Sequence, residues 1–369
     1  MTSFMRCVKC VMPNTRPDTA FVDGVCSACL SYERRPTIDW KERRAQLLAL
    51  LARHDGRCIV PSSGGKDSTY QALTLIELGA KPIIVTATTC MLTDIGRRNI
   101  DNLARYAPTI EFTPNREVRA KLNRLGLEMV GDISWPEHAS IFSVPFRAAL
   151  QFKTPLIFYG ENPQDAYGGP LGADDAKQMT LRWRNEFGGF LGLRPSDFVD
   201  VNGITEDDMK WYQPPSPEQL ESMEVEAHFL GQYLPWDSFQ NAQYSVDHGF
   251  EYEAPYPGNY LEFENQDNAQ TGVHDFFGFL KYGYGRGCAQ VSMAIRAGRM
   301  TREQGMRWVA EFDGLFPVNY MGVHVNKVLR RVQMSSDEFL QQCNNFVNRD
   351  LFVEDEVRWG RRPTLKEFA

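Results

Sequence analysis

The segment Arg57-Cys58-Ile59-Val60-Pro61-Ser62-Ser63-Gly64-Gly65-Lys66-Asp67-Ser68 constrains the fold of this chain more than any other. A short apolar run, Cys58–Val60, ends in a Ser/Gly turn, and the turn opens a helical stretch from Thr69 to Leu78. Gly64 and Gly65 let the backbone approach a ligand closely. The first amides of the helix present unpaired donors and a partial positive charge at the same point. Lys66 adds a full charge, and Ser63 and Ser68 add hydroxyl donors. The expected result is an anion pocket whose shape suits pyrophosphate; the alternative is a Gly-rich turn with no ligand. A Walker A loop needs a glycine separated by four residues from Gly-Lys and a Ser/Thr after the lysine. Val60 and Asp67 stand in those places.

Strand and helix patterns alternate around this segment. Trp40 to Arg53 repeats apolar residues at helical spacing, Lys81 to Ala87 is a β-branched strand, and Gly96 to Tyr106 reads as helix. Thr109–Phe112 (strand), Glu117–Leu125 (helix), Trp135–Phe152 (one helix) and Pro155–Tyr159 (strand) follow. Such alternation predicts an α/β fold with a doubly wound parallel sheet, whose ligand sits beyond the carboxyl ends of the strands. Residues 168–205 are rich in Gly, Asp and Arg without a clear period, which suits a mobile loop over a site. The aromatic-dense region from Phe229 to Tyr284 reads mostly as core, and the end of the chain as helical. Thr301-x-x-Gln304 and Ser335-x-x-Glu338 are capping boxes. The expected domains are 1–35, 36–168 and 169–369.

Cys7-x2-Cys10 and Cys26-x2-Cys29 are separated by fifteen residues, a spacing suited to a four-thiolate zinc site. So small a segment has no core of its own, so a metal would supply its folding energy, and residues 1–35 are expected to form a structural zinc ribbon. Two disulfides or an iron–sulfur cluster are the alternatives. The net charge of −7 argues against a general nucleic-acid binder, although residues 1–57 carry ten Lys/Arg against six Asp/Glu. No signal-peptide pattern precedes Cys7, and the most apolar stretch, Pro82 to Leu92, is too short to span a bilayer. A cytoplasmic protein without a membrane partner is expected.

Ser63-Gly64-Gly65-Lys66-Asp67-Ser68 resembles the SGGxDS signature of the PP-loop ATP pyrophosphatases, which cut ATP between its α- and β-phosphates. Nearly the whole chain is similar to the N-acetyl sugar amidotransferase family (WbpG/PseA type). The likeness rests on Cys7–Cys29, on Ser63–Ser68 with Thr69-Tyr70-Gln71, and on Tyr159-Gly160-Glu161-Asn162-Pro163. Phe229-Leu230-Gly231, Trp236-Asp237, Glu264-Asn265, His274-Asp275 and Tyr282-Gly283-Tyr284-Gly285-Arg286 add to it. One departure stands at Gly287-Cys288-Ala289, where the family pattern continues Ala-Thr-Asp. The resemblance implies an ATP-dependent reaction, in surface polysaccharide biosynthesis, that converts the acetamido group of a nucleotide-linked sugar to an acetamidino group. The acetamido oxygen attacks the α-phosphate of ATP, and ammonia then displaces AMP.

It further implies ATP contacts from Ser63, Gly64, Gly65, Lys66, Asp67, Ser68, Thr86, Gly160 and Asn162, and catalytic roles for Lys66, Asp67, Glu161 and Arg286. Asp67 would hold Mg2+. Glu161 either orients Mg2+ or ammonia or belongs to a turn, and Asn162 either bonds the nucleotide or caps a helix. Arg286 either clamps an anionic group or caps a helix end. Arg182 and Arg184 are weaker substrate contacts, and His274 is either a proton relay or half of a helix-start pair. The chain carries no glutaminase cysteine at position 2, so the resemblance implies ammonia from a separate glutaminase with a cyclase-like subunit. A PP-loop tRNA thiolase is the competing reading, though its paired cysteines are not found among Cys58, Cys90, Cys288 and Cys343.

Overall fold

The alternating pattern folds into five parallel strands. The computed structural model describes residues 4–254, 256, 258–354 and 356–369. β1 (Phe21–Val22) and β2 (Val25–Cys26) form a short antiparallel hairpin. The main sheet comprises β3 (Arg57–Pro61), β4 (Lys81–Ala87), β5 (Thr109–Phe112), β6 (Leu156–Tyr159) and β7 (Glu226–Phe229) in the order β5-β4-β3-β6-β7. Every pairing is parallel, and Ile59 of the central strand faces Ile83 on one side and Ile157 on the other. Helices Trp40–Arg53 and Lys66–Glu77 pack Leu47, Leu51, Ala72 and Leu75 against Cys58, Val60, Leu156 and Phe158. Alternate residues point the other way. Ile59, Val85, Ile157 and Tyr159 therefore meet Val144, Phe146, Ala149 and Trp183 of helices Val144–Gln151 and Leu181–Phe187. Strands buried on both faces need continuous apolar runs, which is why β3 and β6 show no polar alternation. Each fully buried Ile or Leu contributes about 1.5–3 kcal/mol relative to exposure.

Three local expectations change. The sheet draws its fifth strand, β7, from beyond residue 168. The stretch Trp135–Phe152 is two helices, Trp135–Ile141 and Val144–Gln151. Proline is tolerated only in a helix's first turn, so Pro145 starts a new one, and Ser143 at the break donates to Trp211 O at 2.6 Å. The aperiodic stretch 168–205 contains the helix Leu181–Phe187, whose N-cap Thr180 accepts the Trp183 N–H at 3.1 Å. Trp183 is buried against Phe229 and Phe142.

The last third is helical, as read, with both capping boxes formed. Helices Thr271–Tyr282, Val325–Arg331 and Ser336–Phe346 close a core around Phe276, Phe277, Phe279, Leu329 and Phe339. A two-residue antiparallel pair, β8 (Asn319–Tyr320) and β9 (Val323–His324), precedes the second of these helices. Helices Arg286–Arg296 and Arg302–Phe312 pack instead on the cysteine segment, through Cys288, Val291 and Val309. The Gly287-Cys288 departure has a packing reason: a Cβ at Gly287 would come within 2.3 Å of Trp308, and Cys288 is fully buried beside Arg6. Among the described residues no helix is long and apolar enough to cross a membrane.

Candidate functional site

β3 and β6 are neighbours in the sheet but distant in sequence, and the chain winds outward from them in opposite directions. Such a switch point opens a crevice at the carboxyl ends of the strands. Ser62–Gly65 leaves β3 there and Gly160-Glu161 leaves β6 beside it. Ser62 organises the turn: its hydroxyl accepts the Gly64 N–H at 3.0 Å and donates to Ser68 Oγ at 2.8 Å. Ser68 Oγ in turn bonds Gly65 O at 3.0 Å. Gly65 caps the helix Lys66–Glu77, whose first backbone bond runs from Thr69 N to Gly65 O. Gly64 has φ +82°, and a Cβ on it would lie 2.9 Å from Ile100 N. Gly64→Ala is therefore expected to lower stability by about 1–3 kcal/mol and to displace the loop. Thermal unfolding together with nucleotide binding checks this, and an unchanged melting temperature would contradict it.

The crevice is a cavity of about 380 Å³. Its polar wall comprises Ser62, Ser63, Gly65, Lys66, Asp67 and Ser68 from the loop, and Gly160 and Glu161 after β6. Glu264 and Asp267 reach it from the C-terminal third, and Ile141, Phe142, Trp183, Phe229, Phe250 and Phe263 form its apolar side. Lys66 is 2% exposed. Its ammonium pairs with Asp67 and lies 3.0 Å from Glu264 Oε1. Burial opposes the lysine charge, but Asp67, Glu264 and Glu161 outweigh it and raise its pKa. One lysine does not balance three carboxylates. Burial, then Asp67, push the Glu161 carboxyl up to about 7 despite Lys66. Burial likewise lifts Asp267 to about 6, opposed by a bond with Ser63. This surplus of oxygen donors fits a divalent magnesium ion, which Asp67, Glu161 and Glu264 would hold.

The Glu161 shift has a testable sign. Its carboxyl rises from 4.5 unfolded to about 7 folded, so the native chain binds the proton more tightly across that window. Its stabilising contribution is full below pH 4.5 and is lost as pH rises through about 7. The Glu161 contribution to metal-free stability is expected to fall by roughly 1–3 kcal/mol over that range, and Glu161→Gln to make the slope shallower. Magnesium, which favours ionised carboxylates, should raise the melting temperature more at about pH 8 than at about pH 5. Parallel pH slopes for the two proteins would refute the assignment.

The four cysteines form the second centre. Cys7, Cys10, Cys26 and Cys29 are buried, and their sulfurs lie within 4.8 Å of one another. The Cys7–Cys29 and Cys10–Cys26 separations are 3.8 and 3.7 Å. A tetrahedron with metal–sulfur bonds of about 2.3 Å has edges of about 3.8 Å, whereas a disulfide needs about 2.05 Å. The donor set and its size fit zinc. The N–H groups of Cys10 and Cys26 point at Cys7 Sγ from 3.5 and 3.3 Å, and that of Met12 at Cys10 Sγ from 3.5 Å, which would stabilise thiolates there.

The structure brings Ser63, Gly65, Lys66, Asp67, Ser68, Gly160 and Glu161 onto the cavity wall; Gly64 lies beneath it, against Ile100. The other expected residues stand off the wall. Thr86 points away because Val85 and Ala87 face the cavity and neighbours on a strand alternate. Asn162 caps the helix Pro163–Tyr167, accepting the Gln164 N–H at 3.1 Å and donating to Ala173 O at 2.9 Å. Arg182 is solvent-exposed and pairs with Glu186, while Arg184 is buried over the Phe190 ring. The Arg286 guanidinium donates two hydrogen bonds to the Asp275 carboxylate, at 3.0 and 3.2 Å. His274 faces Asp132, His138 and Asp275. Sequence reasoning missed Ser62, Gln71, Glu264 and Asp267 as wall residues. The polar run Glu264-Asn265-Gln266-Asp267 inside an aromatic region was the available signal for the last two.

The fold and crevice define an α/β protein with a parallel sheet and an anion-suited loop at its switch point. Residues 251–366 match the family model described as LPS biosynthesis protein WbpG-like, C-terminal domain. The match supports the WbpG-like family for this chain and includes Glu264, the residue that reaches Lys66. No curated protein matches the chain.

Proposed function

We propose that this protein is an ATP-dependent amidotransferase of lipopolysaccharide biosynthesis that converts the acetamido group of a nucleotide-linked sugar to an acetamidino group. One observation carries the reading. A carboxylate from the segment matched to the WbpG-like domain, Glu264, lies 3.0 Å from the lysine of the anion loop, so the two halves of the chain build one cavity. The buried Lys66 ammonium and the amides opening its helix would bind the β- and γ-phosphates and stabilise the pyrophosphate as it leaves. Magnesium, when bound by Asp67 and its neighbouring carboxylates, neutralises phosphate charge. The acetamido carbonyl oxygen attacks the α-phosphorus and pyrophosphate departs, leaving an O-adenylyl imidate. Ammonia adds to the imidate carbon, the C–O bond breaks, and AMP leaves. Glu161, on the same wall as Asp67, would orient either the magnesium or the incoming ammonia, whose proton passes to solvent.

A second cavity of about 70 Å³ borders Asp67, Glu161 and Glu264 from the side of Tyr32, Arg35 and Trp236. Ammonia would enter from this side, supplied by a separate glutaminase with a cyclase-like subunit. ATP and a nucleotide sugar as substrates fit a cytoplasmic enzyme. The thiolase reading lacks a nucleophile: no cysteine lines the large cavity among the described residues.

The test is pyrophosphate release from Mg-ATP and ammonium against a panel of UDP- and CMP-linked N-acetyl sugars and bulk tRNA, with products weighed. A sugar-dependent signal with a product about one mass unit lighter, as oxygen is replaced by NH, is expected. Release that requires tRNA and a sulfur donor would overturn the proposal.

A further inference from the structure

Away from the loop and the cysteines, three ligating side chains converge where the sheet domain meets the C-terminal helices. Asp132 stands just before the helix Trp135–Ile141, His138 lies within that helix, and His274 comes from the helix Thr271–Tyr282. One ligand atom from each lies within 4.8 Å of the other two. Asp132 is 4% exposed, yet His138 and His274 keep 28% and 27% of their side-chain surface accessible, so the cluster is enclosed but reachable.

The local bonding turns one lone-pair-bearing atom of each residue toward the others. Asp132 Oδ1 already accepts the Ser134 N–H at 2.8 Å, which leaves Oδ2 turned toward His138. His138 Nδ1 sits 3.1 Å from that oxygen, but it is buried without an aligned hydrogen-bond partner. The two atoms face each other as an ion pair, and a bound cation could take the place of the imidazole proton between them. Gly189 packs against the same imidazole, where a Cβ would come within 3.0 Å of Nδ1. His274 carries the outer carboxylate that metal-binding imidazoles usually have. Its Nδ1 is 3.2 Å from Asp275 Oδ1, and Asp275 is fixed by the two-pronged bond from Arg286. With Nδ1 engaged as the donor, Nε2 holds its lone pair toward Asp132, 3.8 Å away.

We propose that Asp132, His138 and His274 bind a divalent first-row transition ion at a site separate from the four cysteines. Two imidazoles and one carboxylate select zinc, iron, cobalt or nickel over magnesium and calcium, whose preferred donors are oxygens. Three protein ligands leave at least one coordination position open to a small ligand, unlike the closed thiolate site. The ion would also join helix Trp135–Ile141, which carries the cavity residues Glu137 and Ile141, to the C-terminal helices.

The experiment counts metal in the full-length protein after dialysis against zinc, and records visible spectra after cobalt substitution. The thiolate site serves as an internal control for folding. Wild type is expected to hold two equivalents, with cobalt giving strong sulfur charge-transfer bands from one and weak nitrogen/oxygen bands from the other. His138→Ala and His274→Ala should each retain one equivalent and the sulfur bands while losing the second set. Asp275→Asn should keep both ions but bind the second about 10–100-fold more weakly. A single equivalent in wild type when zinc, cobalt or ferrous iron is offered would overturn the proposal. So would a second equivalent that survives both histidine substitutions.

Discussion

Lys66→Met is expected to slow pyrophosphate release about 100- to 1000-fold, a loss of about 3–4 kcal/mol of transition-state stabilisation. The lysine is almost wholly buried, pairs with Asp67 and Glu264, and stands under the Phe263 ring at 5.5 Å. A cation held this rigidly needs little reorganisation when charge develops on a leaving pyrophosphate. Methionine keeps the volume but leaves Asp67, Glu161 and Glu264 without their cation, so the Glu161 carboxyl should climb further above 7. The variant should therefore lose stability chiefly at alkaline pH. Adding Glu161→Gln to Lys66→Met should restore stability without restoring turnover, because it removes a buried charge but supplies no cation. Turnover within tenfold of wild type for Lys66→Met would show that the loop is not the phosphate site. Steady-state kinetics and melting curves on the same preparations separate the two effects.

Serine at any one of Cys7, Cys10, Cys26 or Cys29 should abolish stoichiometric zinc at the four-cysteine site and lower the melting temperature by about 10 °C or more. Structural zinc in small folds contributes about 10–16 kcal/mol of apparent binding energy, and a few kcal/mol already shift a chain of this size by about 10 °C. The cysteine segment is not an appendage. Arg302 Nε bonds the carbonyls of Cys7 and Cys10, both at 3.0 Å, and Arg6 bridges Val11 O and Glu367 near the chain's other end. On its other side, Ser27 bonds Gly169 and Ser31 bonds Asp165, in the helix that follows Gly160-Glu161. Loss of the metal should therefore loosen the Gly160-Glu161 side of the cavity as well, and the proposed ATP-dependent activity should fall with zinc content during chelation. A variant that loses zinc yet melts with the wild type would show that the cysteine knuckles hold themselves.

The legible parts of the fold share a property. The central strands announced themselves because burial on both faces requires unbroken apolar runs, as in Ile59-Val60 and Leu156–Tyr159. The capping boxes at Thr301 and Ser335 were readable because their bonds close within three residues. β7 escaped because a four-residue edge strand containing Glu226 and His228 has no run to show. Its polar pair makes sense only beside its tertiary partners: Tyr233 on His228, and His54 and Arg53 on Glu226. The site divides in the same way. Ser63–Ser68 is contiguous and was recognisable as a ligand loop, whereas Glu264 and Asp267 join it from about two hundred residues away.

Local spacing determined what this chain must contain: a strand–glycine turn–helix able to meet an anion, two cysteine knuckles sized for one metal, and an alternation that forms a parallel sheet. These follow from backbone geometry and periodicity, which act over a few residues. Only the tertiary structure decided how the charges balance. It placed three carboxylates around Lys66, turned Thr86 away from the cavity, gave Asn162 to a helix cap and tied Arg286 to Asp275. It also set Asp132, His138 and His274 within reach of one another. The strength and sign of an electrostatic interaction depend on distance and burial, and neither is encoded in the spacing of residues along the chain.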